Sequence, residues 1–423
     1  MFCLIIGLFI AYIGFYTLSR PDPMPINLIY GVPGKWYWLK FRLMRFVIGR
    51  RQKKAKAGKK SDDLMRSQFG GSGQRKIEDL EKKHEFPSGK DWAADAVFFD
   101  AANSDGWYFT LGTAQRQKDI INLFFILRVP GMGVFVNEEL TMTTNVQSIP
   151  SEDEWKTKSF TVKCIKPMEK WTISFKGKLT NSPGLRYFGP EVGSEAGPEN
   201  QPSEKAIPGE IELEWNNFGD YFDFDTEVSP TSIAHSLAIE PWSRDLFKRL
   251  QESHQTHYEQ FGFLTGRVRV GEKEFNDIRM TSMRDHTITS FRRWTDIRRY
   301  IMMIYHLSDG TCIHTSLISM PETVFSHLEF GYVITPDKQK IPVDRIHLHL
   351  SNVGEKKRFP EHFEYSFDAG KFHYDVKVKI IETCSFKMGE EQKCQVNENM
   401  AEFEANGVKG YGFVEAEYRI QPF

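Results

Sequence analysis

The sequence has few cysteines and lacks the common motifs of nucleotide and metal chemistry. Its five cysteines are scattered and none belongs to a CxxC pair, which argues against a disulfide scaffold or structural zinc and is typical of a reducing compartment. The patterns GxxxxGK[ST], GxSxG and HExxH are also missing, which disfavours nucleotide-dependent and serine-hydrolase chemistry. We therefore expect neither a cofactor nor a metal.

The chain has almost no net charge, but the charge is unevenly distributed. The formal net charge of the 423 residues is −1, and 14% of them are aromatic, which argues against a disordered protein. Residues 20–60 nevertheless hold twelve lysines and arginines and the single acid Asp22. Because this basic segment follows an apolar run, it favours anionic lipid as the partner and disfavours nucleic acid.

The first nineteen residues carry no charged side chain. Residues 2–18, FCLIIGLFIAYIGFYTL, form an apolar run that would span about 26 Å as a helix, close to the shortest length that crosses a bilayer core. The run lacks the basic start and the small-residue cleavage site of a signal peptide. We predict a transmembrane anchor at 1–19 with the body facing the cytosol, because positive residues stay on the cytoplasmic side. An endoplasmic reticulum or other endomembrane location is expected.

Residues 36–48, WYWLKFRLMRFVI, predict an amphipathic helix at the membrane surface. Its apolar stripe would contain Leu39, Leu43, Phe46 and Val47, with arginines on the opposite side. The basic run RRQKKAKAGKK follows directly. We expect residues 20–91 to comprise this interfacial helix and a flexible tether, with membrane lipid as a partner.

From residue 92 onward, apolar and polar residues alternate with the period of a β-strand. FHYDVKVKI, KWTISFK and GFVEAEYR show the alternation, and turn signals such as Asp-Gly and Asn-Gly separate the runs. The exception is residues 231–260, which predict a helical connector broken at Pro241. We predict a mostly β protein with two antiparallel modules at 92–230 and 261–423. Their interiors hold either packed side chains or one apolar ligand.

The densest polar stretch is RDHTITSFRRW, residues 284–294. As a strand it would place Asp285 and Thr287 on one face, with Arg284 and His286 on the other. An apolar cavity would raise the pKa of Asp285, which could then act as a general acid or base. The alternative is a structural Arg–Asp–His network that closes the end of a barrel.

A second polar cluster, SHQTHYEQFGFLTG, lies at residues 253–266, where the predicted helix meets a strand. Helical spacing would bring His254 close to Tyr258 and, more loosely, His257 close to Glu259. The alternative role for these side chains is packing between the two modules.

Several blocks of the sequence are long enough to be specific. They are VFFDAANSDGWYFTLGTAQR, VKCIKPMEKWTISFKGKL, ESHQTHYEQFGFLTGRV, MRDHTITSFRRW, SHLEFGYV and FEANGVKGYGFVEAEYR. These blocks resemble the non-catalytic amino-terminal region of invertebrate and bacterial phosphoenolpyruvate-synthase-like proteins. They follow the same order over roughly residues 92–420. No part of the chain resembles the ATP-grasp or phosphohistidine domains of that family, so neither kinase nor phosphoenolpyruvate-synthase activity is implied.

The same region is more distantly similar to the AttH and carotenoid 1,2-hydratase superfamily. This resemblance implies two lipocalin-like β-barrels and an apolar ligand such as an isoprenoid or other lipid. It also implies that an acidic residue protonates a double bond, and Asp285 stands at the matching position. The chain departs from that superfamily's motif at Ile288-Thr289, where an aromatic residue and glycine are typical.

The leading hypothesis is a membrane-anchored protein that binds a hydrophobic small molecule. The second is a hydratase, cyclase or isomerase acting on an isoprenoid-like lipid, with Asp285 as general acid and His286 orienting it. The third is a non-enzymatic scaffold with filled barrels. The predicted ligand-binding residues are Arg284, Trp294, His257 and Tyr258.

Overall fold

A computed structural model gives the architecture of most of the chain. It describes residues 12, 14, 21–57, 77–86, 88–141, 143–181, 206–355, 359–389 and 393–420. Apart from Tyr12 and Gly14, the predicted anchor at 2–18 lies outside these ranges. Among the residues so described, no helix combines the length and the apolar character needed to cross a membrane.

Helices make up a small part of the described chain. The α-helices are α1 (Tyr37–Ala57), α2 (Ile77–Leu80), α3 (Pro230–Ile239) and α4 (Arg244–Glu252), and single 3-10 turns lie at Glu138–Thr141, Trp294–Asp296 and Leu350–Asn352. The hydroxyl of Ser229 caps α3 and that of Ser243 caps α4, each satisfying a free amide of the first turn. Pro241 lies between α3 and α4, and a proline there prevents the two from forming one continuous helix.

Within the described ranges, twelve strands form the first sheet. They are β1 (Ala94–Ala102), β2 (Tyr108–Gln115), β3 (Ile120–Val129), β4 (Gly133–Asn137), β5 (Asn145–Gln147), β6 (Glu154–Lys156), β7 (Phe160–Lys166), β8 (Lys170–Asn181), β9 (Ile207–Asn217), β10 (Phe222–Asp223), β11 (Thr256–Val270) and β12 (Lys273–Thr289). Because β9 pairs with both β8 and β11, a continuous ring runs through β1, β2, β3, β4, β8, β9, β11 and β12. We call this ring the first barrel.

The remaining eight strands form a closed barrel, here the second barrel. They are β13 (Arg299–Leu307), β14 (Cys312–Met320), β15 (Phe325–Ile334), β16 (Lys340–Ile346), β17 (His362–Ala369), β18 (Phe372–Met388), β19 (Cys394–Ala405) and β20 (Val408–Arg419). The predicted second module begins at residue 261, but β11 and β12 pair within the first barrel. By strand pairing the chain therefore changes barrels after Thr289. Local alternation identifies strands but not their partners, since β12 pairs with the distant β1.

Side chains fill the interiors of both barrels. In the first, Trp155, Trp171 and Trp215 are fully buried within one large apolar cluster. In the second, the rings of Tyr305 and Phe403 stack with centroids 4.0 Å apart. The fold therefore follows the packed alternative for the barrel interiors.

The two barrels pack side by side through residues that point outward from each ring. Phe124 of the first barrel packs against Phe386 of the second, with ring centroids 4.7 Å apart and the ring planes tilted by 31°. The hydroxyl of Tyr108 donates a hydrogen bond across the interface to the carbonyl of Ala401. This packing explains why β2 and β3 are buried on both faces and show no clean alternation.

Two amino-terminal segments dock onto the barrels. The helix α1 packs on α3, and Met44 and Ile48 are buried there. Residues 77–86 cover one end of the first barrel, where the Glu81 side chain is fully buried. This part of the predicted tether, residues 77–86, is held against the barrel by the contacts that Glu81 makes with Arg284 and Tyr258.

Candidate functional site

A cavity lined by described residues of both barrels lies between them and outside both rings. Its volume is about 370 Å³, in the range of small-molecule sites. Most of the wall is apolar. The apolar side chains include Ala94, Ala96 and Phe98 of β1, Met302 and Ile304 of β13, Ile318 of β14, Leu328 and Phe330 of β15, Ile233 of α3 and Leu250 of α4.

Asp285 lies in the polar part of this wall. In the register of the first barrel it stands directly between Phe98 of β1 and Glu259 of β11, on the outward face that lines the cavity. Among the residues that the structure describes, no group donates a hydrogen bond to its carboxylate. Burial raises the pKa of Asp285, although the charge of His257 opposes the rise. An unpaired carboxyl of this kind is suited to hold a proton inside an apolar site.

A chain of hydrogen bonds runs beside Asp285 from one barrel to the other. His257 hydrogen-bonds Thr287 at 2.7 Å and Glu259 at 3.0 Å, and Glu259 also bonds Nδ1 of His314 at 2.6 Å. Burial opposes the ionisation of Glu259, but His314 and His257 outweigh it and lower the pKa of Glu259 to about 2. Burial likewise lowers the pKa of His257, yet its bond to Glu259 and the charge of Asp285 raise that pKa overall.

The second barrel contributes another carboxyl to the cavity wall. Glu415 of β20 accepts a hydrogen bond from the hydroxyl of Tyr300. Burial raises the pKa of Glu415 to about 7, and the charge of Asp285 adds to the rise. The cavity therefore contains a carboxylate that stays ionised, Glu259, and two carboxyls that hold protons more tightly than usual. Carboxyls whose pKa values differ in this way can take different acid and base roles.

Asp285 and His286 do not meet. His286 points into the first barrel, where its Nε2–H donates to Asp95 at 2.6 Å and its Nδ1 bonds Tyr258 at 2.8 Å. His286 therefore does not contact Asp285, because successive residues of a strand face opposite sides of the sheet. The strand register places the side chains of residues 284–289 alternately on two faces, as the sequence predicts.

Arg284 and Tyr258 share the barrel interior with His286. Nη2 of Arg284 lies 2.9 Å from a carboxylate oxygen of Glu81, and its guanidinium lies 5.0 Å from the rings of both Trp171 and Trp215. The hydroxyl of Tyr258 also donates to Glu81. These two predicted ligand-binding residues form a buried structural network at the barrel end and do not reach the cavity.

His257 and Trp294 do line the cavity. Trp294 begins a 3-10 turn after β12, and the guanidinium of Arg292 lies 4.8 Å from its ring centroid. His257 lies on a strand, because α4 ends at Glu252 and β11 begins at Thr256. His257 and Glu259 meet through strand spacing, whereas the helical pairing of His254 with Tyr258 does not occur.

Three residues of the site escaped the sequence reasoning: His314, Tyr300 and Glu415. Each belongs to a strand of the second barrel whose outward face would be solvated in an isolated barrel. The enrichment of histidine after residue 235 is the one sequence signal for His314. No local pattern pairs it with Glu259, since the two strands belong to different rings.

A metal ion is the alternative to a hydrogen-bonded cluster at His257, Glu259 and Asp285. The ligand atoms of these residues lie within 4.8 Å of one another, a spacing that a metal ion could bridge. Both ring nitrogens of His257 are already engaged by Thr287 and Glu259. The contacts therefore favour a hydrogen-bonded relay over a metal centre at these residues.

Comparison with known proteins gives the following similarities. A protein assigned as AttH from Nitrosomonas europaea is 10% identical with a TM-score of 0.49, over 79% of this chain and 96% of that one. Kievitone hydratase from Nectria haematococca is 10% identical with a TM-score of 0.38, over 85% and 98%. CghA bound to Sch210972 is 10% identical with a TM-score of 0.44, over 85% and 98%.

No curated protein matches the chain. The match that covers most of the sequence is a family model, which aligns with residues 4–418. The chain belongs to that family, DUF8627, described as a family of unknown function.

Proposed function

We propose that the protein binds an apolar small molecule between its two barrels and transfers a proton to it. The cavity between the barrels supports binding, because its volume of about 370 Å³ and its apolar wall suit a lipid-like molecule with a small polar end. The filled barrel interiors favour this location over a ligand held inside either ring.

One observation carries the catalytic part of the proposal. The Asp285 carboxyl faces an apolar cavity without a hydrogen-bond partner among the described residues, and burial raises its pKa. In its protonated form, a carboxyl so placed can act as a general acid. Glu259, held ionised by His257 and His314, supplies negative charge close to any carbocation that forms.

The reaction class is addition of a proton to a carbon–carbon double bond. Asp285 donates its proton to one alkene carbon, and water adds to the other carbon. The proton that this water releases returns to the Asp285 carboxylate, so alkene and water give an alcohol. Transfer of a different proton from the carbocation to the Asp285 carboxylate gives an isomerised alkene and restores the acid, and neither route needs a cofactor.

The test uses full-length protein purified in detergent and a total lipid extract as the substrate pool. In water labelled with oxygen-18, the extract should contain a lipid that gains one labelled water in the presence of the wild type. Asp285→Asn should keep the co-purifying lipid but lose the mass gain. Asp277→Asn, at an exposed position of the same strand, is the matched control.

The outcome distinguishes catalysis from binding alone. A lipid that co-purifies equally with all three proteins, with no label from oxygen-18 or deuterated water, indicates a binding protein. Absence of any bound lipid from the wild type contradicts the whole proposal and favours the scaffold hypothesis. Adding a chelator to the active sample checks that no metal takes part.

A further inference from the structure

The helix α1 carries two apolar faces, and the residues that the structure describes cover one of them. Met44 and Ile48 are buried against the α3 region. On the opposite side, Leu39, Leu43 and Phe46 are 64%, 48% and 60% exposed. Their spacing of four and three residues forms a continuous ridge along the helix. A helix of a soluble protein normally has polar residues on the side away from its packing partner.

The surroundings of this ridge identify what covers it. Arg42, Arg45 and Lys53 are exposed on the same helix, and residues 37–57 contain no acid. Trp38, 68% exposed, lies at the amino-terminal end, and indole rings favour the headgroup region of a bilayer. The chain that precedes this region contains the apolar run 2–18. A protein partner would not require basic residues beside the ridge together with an apolar run before it, whereas an anionic bilayer accounts for both.

The buried side of α1 adjoins the wall of the cavity. Met44 and Ile48 share one apolar cluster with Leu250 of α4 and with Val324 and Phe325 at the start of β15. These last three side chains line the cavity between the barrels. The exposed ridge and the cavity wall are thus separated by the thickness of one helix, about 10 Å.

We propose that α1 lies flat on an anionic bilayer with Leu39, Leu43 and Phe46 among the acyl chains, and that the cavity takes its substrate from that bilayer past α4 and the start of β15. The substrate class is then a membrane-partitioned lipid. This inference rests on the proposed function for the substrate and on the α1 surface for the membrane contact.

The first test locates α1 on the membrane. Full-length protein carrying the photocrosslinker benzoylphenylalanine at Leu43 is reconstituted in vesicles of phosphatidylcholine and phosphatidylserine. We expect lipid adducts at Leu43 and none when the crosslinker replaces Glu272, an exposed residue on the turn between β11 and β12. Adducts with protein alone, or equal lipid adducts at both positions, would overturn the membrane contact.

The second test measures delivery to the cavity. The fluorescent polyene cis-parinaric acid is supplied either within vesicles or from ethanol solution, and uptake is followed by its gain in fluorescence. The double variant Leu43→Ser/Phe46→Ser should take up vesicle-borne probe at least tenfold more slowly than the wild type, with uptake from solution unchanged. Ile149→Ser/Ile165→Ser, which also removes two exposed apolar side chains, should match the wild type in both assays.

The two proposals fail in different ways. If the Leu43/Phe46 variant takes up vesicle-borne probe as fast as the wild type, the route from the bilayer is wrong and the cavity proposal stands. If the wild type takes up no probe from either source, the cavity proposal itself fails. Uptake that does not depend on phosphatidylserine contradicts the role of the basic residues.

Discussion

Asp285 and His286 are neighbours in the chain, yet their side chains lie in different compartments of the fold. The Asp285 carboxyl enters the cavity between the barrels, and the His286 imidazole enters the first barrel and bonds Asp95 at 2.6 Å. One strand therefore serves both the proposed chemistry and the closure of a barrel end. The two roles can be tested separately because they use alternate residues.

The pH dependence of turnover tests Asp285 as the acid. A general acid must be protonated, so turnover should fall as the pH rises through the raised pKa of Asp285. The positive charge of His257 lowers that pKa, and His257→Gln should therefore move the alkaline limb to higher pH. The measurement is the initial rate against pH for the wild type, His257→Gln and the exposed control His362→Gln. An alkaline limb that stays in place in His257→Gln would show that another group titrates.

Filling the cavity should abolish binding without unfolding the protein. Ala96 of β1 lines the cavity, and Ala96→Phe places a ring where the ligand would lie. We expect ligand retention to fall at least tenfold, about 1.4 kcal/mol in binding free energy, with the melting temperature maintained. Ala96→Ser adds little volume and should bind as the wild type does. Normal binding by a folded Ala96→Phe protein, measured by native mass spectrometry, would place the ligand elsewhere.

Glu81 should be essential for stability and not for chemistry. Burial opposes the ionisation of Glu81, but Arg284 and His286 outweigh it and hold its pKa well below the usual range. Glu81→Gln leaves the buried guanidinium of Arg284 without its counter-charge, which costs about 3–5 kcal/mol in the free energy of unfolding. Glu85→Gln, at an exposed position of the same segment, should change it by less than about 0.5 kcal/mol. Urea denaturation measures the free energy of unfolding of both variants. Equal stability of Glu81→Gln and Glu85→Gln would contradict the stabilising role of the buried network around Glu81.

Stability should decline on the alkaline side. Burial raises the pKa of Glu417 to about 8. The contribution of Glu417 to the free energy of unfolding is therefore complete below its usual pKa of 4.5 and is lost as the pH rises through 8. Burial lowers the pKa of His286, but Asp95 and Glu81 raise it overall to about 9. The contribution of His286 to the free energy of unfolding is complete below its usual pKa of 6.5 and is lost as the pH rises through 9. Glu417 and His286 therefore both lower the stability of the folded protein as the pH rises.

The variant Glu417→Gln separates the two contributions. It removes one of these titrations, so its free energy of unfolding should fall less between about pH 5 and pH 8 than that of the wild type. Thermal unfolding across this range measures the difference, with Glu272→Gln at an exposed turn as the control. Parallel curves for the wild type and Glu417→Gln would show that Glu417 is ionised in the folded protein.

Much of the local structure could be predicted from the sequence. The alternation over residues 284–289 places Asp285 and Thr287 on one face and Arg284 and His286 on the other, as the strand register has them. The site could be predicted only in part. Asp285, His257 and Trp294 line the cavity, whereas Arg284 and Tyr258 do not reach it, since the sequence does not say which face of β11 or β12 lies inside the ring.

The amino-acid sequence by itself determined where strands and turns form, because side-chain period and turn chemistry act over a few residues. It also determined that α1 contains both apolar and basic residues. Only the tertiary structure decided that β11 and β12 close the first barrel and that His314 meets Glu259 across two rings. It also decided that the cavity lies between filled barrels. Those features depend on contacts between residues far apart in the chain, where packing and burial select one pairing among many that the alternation allows.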